Sequence, residues 1–386
     1  MRSVVTGFAL LNVLVLLAAI ACTQVPLLKH IGFFTRVRPV GNTNCTIIEG
    51  PESCEKIVVH HSSGLVYMAC GTLDTRWKWA PFFQVFEEPR TKDVITIYDP
   101  TANTLRPIRH DLKDFRGLNV HGMDVVQSSD NPKTLYIYLV NHRPQLRRNE
   151  HAVGADSTIE LFKTEAGSER MKHIKTFHDP KIILTPNDVA GSPDGKSFYF
   201  TNDHSSRVDP WERRIQLWFN PSKNSLGYCH IDKGCKIAAA NLPSPNGIVR
   251  INDDTYWVAG FPSGKITVFT RDADNSLVQV DEIDIGRPLD NLTVDENGDV
   301  WVAAFVRLFE TIKYVLSRGG LAPSAAYKVS LNQGYDAYFG KKYAVKKVFE
   351  DDGTLANWIT TAAADSRRRQ LYLHGLFSKH LVRCPF

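Results

Sequence analysis

The sequence predicts an all-β chain: a six-bladed β-propeller around a central channel, with a few surface helices and a hydrophobic N-terminal segment. Three observations carry this. One local pattern recurs at intervals of roughly 45 to 66 residues, the spacing of propeller blades rather than of helical solenoids. Each recurrence runs from a polar doublet into an aliphatic segment, a turn and an aromatic-rich strand, as in "TPNDVAGSPDGKSFYFTND", "SPNGIVRINDDTYWVAG" and "RPLDNLTVDENGDVWVAA". Turn signals such as "PDG", "ENGD" and "FPSGK" separate the segments.

Taken in order, the chain opens after Arg2 with the apolar run "VVTGFALLNVLVLLAAIA", ending in Ala19-Ile20-Ala21. This has the form of a secretory signal, so residues 1–24 are expected to be an export segment, either cleaved or retained as a membrane anchor. Residues 25–386 are then one propeller domain. Seven cysteines in an exported chain suggest disulfides, with Cys22 at the cleavage point as the odd one out. "CTIIEG", from Cys45, is a spare strand available to complete the last blade. A Cys45–Cys384 bond would then staple the ring shut, contributing about 4–5 kcal/mol at best by chain entropy. Cys229 and Cys235 could close a short loop and Cys54 and Cys70 flank the first hairpin, but the sequence leaves their pairings open.

The six inner strands are expected to begin near Glu55, His121, Asn187, Asn246, Asn291 and Trp358. Third strands are expected at "VITIYDP", "IELFKT", "IQLWFNP", "ITVFTRD", "AAYKVSL" and "HLVRC". Two stretches interrupt the β pattern. Residues 305–317 have helical apolar spacing, and "SSRVDPWERRIQLWF" follows Asp203 and His204. Both should lie over one face of the ring, either as packed surface structure or as a lid or membrane-facing rim.

Composition excludes some functions. The chain has 386 residues, 43% hydrophobic and 23% charged, with a net charge of +5 spread along it. Arg367-Arg368-Arg369 reads as a solvated turn, and without aromatic interleaving or a recognition motif no nucleic-acid partner is expected. No phosphate loop, nucleophile elbow or nicotinamide fingerprint is found, and "GSPDG" is a turn.

In a propeller, residues at equivalent repeat positions converge on the channel axis. Glu55, Asn187, Asn246, Asp290 and Asn291 stand at such positions. A single Asn or Asp is ordinarily a turn or cap residue; five at equivalent positions make an all-oxygen donor set. Two carboxylates and three amides suit Ca2+ better than Mg2+ or Zn2+. Asn291 also opens an Asn-Leu-Thr sequon, accidental if the residue faces the channel, while the Asn44-Cys45-Thr46 sequon is left open. His121 holds the second blade's channel position and His142 ends the next strand. Either alone reads as a structural histidine, but above a cation they make a general-base pair, His121 taking a proton from water and His142 holding and tuning it. Addition of water to an ester or lactone is the reaction class implied.

At these residues the chain resembles the paraoxonase/arylesterase family over nearly its whole length after the signal. The shared motifs run in order: "NVHGM", "YLVNH", "STIELFK", "PNDV", "TNDH", "PNGI", "LDNLTVD", "GDVWV" and the final "FSKHLVRC". The resemblance implies a six-bladed, calcium-dependent lactonase with arylesterase activity. It implies Glu55, Asn187, Asn246, Asp290 and Asn291 as calcium ligands, His121 and His142 as the catalytic dyad, Cys45–Cys384 as the disulfide, and Asp203 and His204 as site neighbours. It also implies a lipid-associating N-terminus. The family's second, structural calcium uses positions matched here by Met123 and Asp188, but its third carboxylate is Lys56. Lys56 is therefore expected to pair with Asp188 and replace that ion, leaving one Ca2+ per chain. The expected partner is a small lactone or ester, in a secreted or membrane-tethered protein with membrane or lipid contact through its N-terminus. The alternatives are a gluconolactonase-like hydrolase and a catalytically silent, calcium-stabilised propeller that binds protein or lipid.

Overall fold

A computed structural model describes residues 28, 29, 31–87, 93–209, 211, 212, 215 and 222–386. The predicted export segment 1–24, Cys22 included, lies outside the described residues. Strands group into six four-stranded antiparallel blades, each built outward from an inner strand at the channel. The inner strands are Glu52–His60, Val120–Gln127, Pro186–Gly191, Pro245–Arg250, Leu289–Val294 and Thr361–Asp365.

The core follows from this geometry. Blades pack face to face around a ring, so apolar side chains gather between blades. Of eight buried apolar clusters among the described residues, six sit one at each junction between neighbouring blades and two lie in the segments over the channel mouth. Second strands such as Leu65–Gly71 and Val300–Phe305 are buried along almost their whole length, because both faces meet a neighbouring blade, and they read as continuous apolar runs. Outermost strands such as Thr104–His110 are mostly exposed. Charged side chains such as Lys56 and Asp188 are buried together among the inner strands.

Two seams complete the ring. Thr46–Ile48 pairs antiparallel with Leu381–Pro385, Thr46 opposite Arg383, so the N-terminal strand is the outermost strand of the sixth blade. Cys45 and Cys384 are disulfide-bonded beside it, closing a separation of 339 residues. The outer edges of the first two blades also join, through a short parallel pairing of Arg109 with Arg170 and His110 with Met171; covering these edges removes two exposed ladders. The cysteines left open by the sequence pair across strands: Cys54 faces Cys70 and Cys229 faces Cys235 in register, and both pairs are bonded.

Two expectations need correction. The third strand of the third blade is Ser222–His230 rather than "IQLWFNP", most of which lies outside the described residues. The helix expected over 305–317 spans Leu308–Ser317, because Phe305 remains in its strand opposite Ser324. Among the described residues, no helix is long and apolar enough to cross a membrane.

Antiparallel pairing brings the end of each second strand to the mouth where the inner strands begin. The long second-to-third-strand connections therefore cover that mouth. They carry the helices Leu73–Lys78, Glu150–Val153 and Leu308–Ser317. The first is fixed by a capping box between Thr72 and Thr75. The last turns Leu308, Thr311 and Tyr314 inward.

His374 holds the closing seam. Its Nδ1 accepts from the N–H groups of Cys54 at 3.3 Å and Gly375 at 2.8 Å, while its Nε2–H donates to the Pro51 carbonyl at 3.0 Å. All three bonds need a neutral ring, and burial pushes its pKa down to about 4. The unfolded chain takes up a proton near pH 6.5 that the folded chain refuses. His374 therefore stabilises fully above about pH 6.5, and this contribution falls as pH drops towards about 4. Urea titrations should show His374→Gln destabilised by about 2–4 kcal/mol at pH 7.5, with the gap to wild type narrowing between pH 6.5 and 4. A gap independent of pH would exclude this role.

Candidate functional site

The calcium-ligand candidates and His121 stand where their inner strands lose register with the second strand, whereas His142 lies on a second strand. The breaks fall between Cys54 and Lys56, Val120 and Met123, Pro186 and Val189, Pro245 and Ile248, and Leu289 and Leu292. They bracket Glu55, His121, Asn187, Asn246, and Asp290 with Asn291. The sixth inner strand pairs without a break and supplies no candidate. A residue at such a bulge is released from the ladder and its side chain can be re-aimed, here towards the axis. Close approach of the strands demands glycine at two breaks: a Cβ on Gly122 would lie 2.3 Å from the Asn187 carbonyl oxygen, and one on Gly247 2.5 Å from the Leu292 nitrogen.

The site residues approach one another around the channel in two groups, Asn291 to Asn187 and Asn246 with Asp290. Asn291 Nδ2 donates to Glu55 Oε1 at 2.9 Å, Glu55 Oε1 lies 4.0 Å from His121 Nε2, and Asn187 Nδ2 donates to that nitrogen at 3.2 Å. Asn246 hydrogen-bonds Asp290, which closes on Asn291 through the chain. Thr360, absent from the sequence expectation, donates to Glu55 Oε2 at 2.8 Å.

Four oxygens here, Oδ1 of Asn187, Asn246, Asp290 and Asn291, are buried and find no hydrogen-bond partner among the described residues. Orphaned buried acceptors are costly unless something else satisfies them. Burial pushes the Glu55 carboxyl up to about 7. Burial, and then the Glu55 charge, push Asp290 well above the usual carboxylate range. Carboxyls that hold their protons for want of a counter-charge, and lone pairs without donors, are thus gathered in one place, and a hard cation with oxygen ligands fits this chemistry. The set contains only two carboxylates; among the described residues, no three His, Cys, Asp or Glu side chains group to hold a metal ion.

The two histidines adjoin this set, their ring centroids 5.3 Å apart. Burial, and then the neighbouring His142, hold His121 well below its ordinary pKa, so it is a neutral base at neutral pH. The Asn187 amide N–H facing Nε2 favours the His121 tautomer with its proton on Nδ1. His142 Nδ1 lies 2.9 Å from Ser157 Oγ. Behind it Arg116 and Arg143 each bind both Asp114 and Asp156, at 2.7 to 3.0 Å. Asp203 accepts from Asn187 Nδ2 at 3.4 Å, and His204 Nδ1 lies 2.7 Å from its other oxygen. Phe82, from the covering segment, lies over His121 at 4.7 Å. A cavity of about 20 Å³ remains there, lined by Phe82, His121, His142, Ser157, Asp203 and Arg207. Trp79 is buried, its indole N–H on the His142 carbonyl at 2.9 Å, a fold-level contact with no local pattern in the sequence.

One layer deeper, Lys56 Nζ donates to Asp188 Oδ2 at 2.5 Å and to the Leu292 carbonyl at 2.8 Å. Both side chains are almost wholly buried. Asp188 Oδ2 also accepts from the Ile248 N–H at 3.0 Å. Met123 lies beside Lys56, lining with it a cavity of about 240 Å³ at the opposite mouth of the channel. The expected Lys56–Asp188 pair therefore forms.

A protein-family model described as Arylesterase matches residues 36–381. The chain is similar to serum paraoxonase/arylesterase 1 of Mus musculus, 27% identical over 276 residues, 70% of this chain and 71% of that one. It is 29% identical to serum paraoxonase/arylesterase 2 of Gallus gallus over 274 residues, 69% and 70% of the two chains. The corresponding values for serum paraoxonase/arylesterase 1 of Homo sapiens are 28%, 274 residues, 69% and 70%. A solved gluconolactonase from Xanthomonas campestris aligns at TM-score 0.47 and 13% identity over 91% of this chain and 93% of that one, a likeness too low to build on.

The buried ion pair yields a stability test. Lys56→Met leaves Asp188 as an uncompensated buried charge and should cost about 3–5 kcal/mol in denaturant titrations, whereas Lys56→Met with Asp188→Leu should recover most of the loss. Equal midpoints for Lys56→Met and wild type would show that the pair contributes nothing.

Proposed function

The chain belongs to the arylesterase family, and from that premise we propose that it is a calcium-dependent hydrolase of lactones and aryl esters. The observation that carries the reading is the set of four orphaned buried oxygens beside a neutral histidine pair. Glu55, Asn187, Asn246, Asp290 and Asn291 would hold the cation. When bound, it supplies Lewis-acid polarisation of the substrate carbonyl and stabilises developing negative charge.

The remaining work falls to protein groups. His121, neutral and buried, takes the proton from the attacking water. His142, braced by Ser157 and by the two arginine–aspartate pairs behind it, orients and tunes that base. Asn187 donates to His121 Nε2 and so must yield that nitrogen to the water as the reaction begins. Asp203 steadies the Asn187 amide, with His204 against it. Phe82 and the covering segment exclude bulk water above the pair.

We further propose that Lys56 substitutes for a second cation, its fixed positive charge neutralising Asp188, so that each chain binds one Ca2+. Export through residues 1–24, cleaved or retained, belongs to the same reading. It is supported by three disulfides, which persist in oxidising compartments. Contact with lipid would fall to the N-terminus, where Phe33 and Phe34 are exposed beside Phe309 of the covering helix.

Purified protein should hydrolyse phenyl acetate and a series of short- to long-chain lactones, lose that activity on chelation and regain it with added Ca2+. A folded protein that is stabilised by Ca2+ but inert towards the whole series would instead be a calcium-stabilised binding propeller. His121→Gln should retain Ca2+ binding and thermal stability while turnover falls by about 100-fold or more. Elemental analysis should count one calcium per chain; two would overturn the substitution by Lys56.

A further inference from the structure

We propose that Arg76 is a positioning residue for the histidine pair, the ionic root of a clamp by which the covering segment grips the backbone of both histidine-bearing strands; this rests on the hydrolase reading above. Thr75 and Arg76 are the buried residues of the short helix Leu73–Lys78 over the channel mouth. Arg76, only 3% exposed, places Nη1 2.9 Å from Asp93 Oδ2, itself wholly buried. The same carboxylate oxygen accepts the Val120 N–H at 2.9 Å. Val120 is the last residue in register before the bulge that carries His121. The peptide leading into His121 is therefore held by a carboxylate, and the carboxylate by Arg76.

The same segment reaches the second histidine. Three residues after Arg76, the Trp79 indole N–H donates to the backbone carbonyl of His142 itself. The slot that seats the ion pair exists because residue 71 is glycine: a Cβ there would stand 2.7 Å from Asp93 Oδ1 and 2.8 Å from Arg76 Nη2. Two grips from one segment, one on each histidine strand, fix the relative placement of the two rings. Displacements well under an ångström at such a pair weaken proton transfer while leaving substrate affinity largely intact.

Two substitutions test this. Arg76→Lys keeps a buried cation but loses the planar fork, and Trp79→Phe deletes one N–H while keeping a ring in place. Each should lower kcat for phenyl acetate by about tenfold or more, with KM within about threefold. Independently of turnover, carbethoxylation of His121 and His142 by diethyl pyrocarbonate, followed by peptide mass spectrometry, should change at least about threefold while buried His374 keeps its wild-type rate. Folded variants with wild-type kcat and wild-type reactivity at both histidines would overturn the proposal, as would a change shared equally by His374, which reports general loosening. If Arg76→Lys fails to fold, Trp79→Phe decides. A wild type inert towards every ester and lactone defeats the hydrolase reading instead, and the histidine reactivities still decide the clamp.

Discussion

The ammonium of Lys56 at the channel axis is the contact on which the arrangement of the blades depends. A propeller places its apolar cores between blades, so the polar groups buried where six inner strands converge must satisfy one another. Lys56 of the first blade bonds Asp188 of the third and the Leu292 carbonyl of the fifth, while Asp188 also accepts the Ile248 N–H of the fourth. Asp124 of the second blade feels the same charge and accepts the Gly191 N–H. One buried cation thereby links most of the ring at its narrowest point.

The layer above it is built by the same strands and differs in one respect. Around Lys56 the Asp188 carboxylate is paired through Oδ2 and one oxygen, Asp188 Oδ1, finds no hydrogen-bond partner; around Glu55 and Asp290 four amide and carboxylate oxygens find none. A polar layer built around an ion pair stabilises a fold, whereas one with several unpaired acceptors invites a ligand. Bulges at the starts of five inner strands produce the unsatisfied layer by releasing side chains from the ladders. The sixth strand, regular throughout, contributes Thr360 just before its start as a donor to Glu55.

Covering and closure complete the design. Antiparallel blades send their long connections to the mouth that holds this layer, where Trp77, Phe83, Tyr314, Trp358 and Phe377 form an aromatic roof. The roof excludes water from a region of concentrated charge, which strengthens every electrostatic interaction below it. The closing seam, with Thr46–Ile48, the Cys45–Cys384 bond and the neutral His374, keeps the first and sixth inner strands adjacent and so keeps Glu55 beside Thr360.

The sequence by itself determined the blade number, the inner strands, the spare strand with Cys45 and Cys384, and the residues that stand at the channel, while Lys56 opposite Asp188 followed from the family resemblance. These were legible because rotational repetition turns equivalent sequence positions into neighbouring points in space. The tertiary structure decided what lies outside the repeat. Cys54–Cys70 and Cys229–Cys235 depended on strand register, and the third strand of the third blade on where pairing resumes after an insertion. Neither the burial of Trp79 on His142 nor the chain of contacts from Arg76 through Asp93 to Val120 had a sequence signal. Such contacts join segments of unrelated repeat position, whose proximity exists only once the ring has closed.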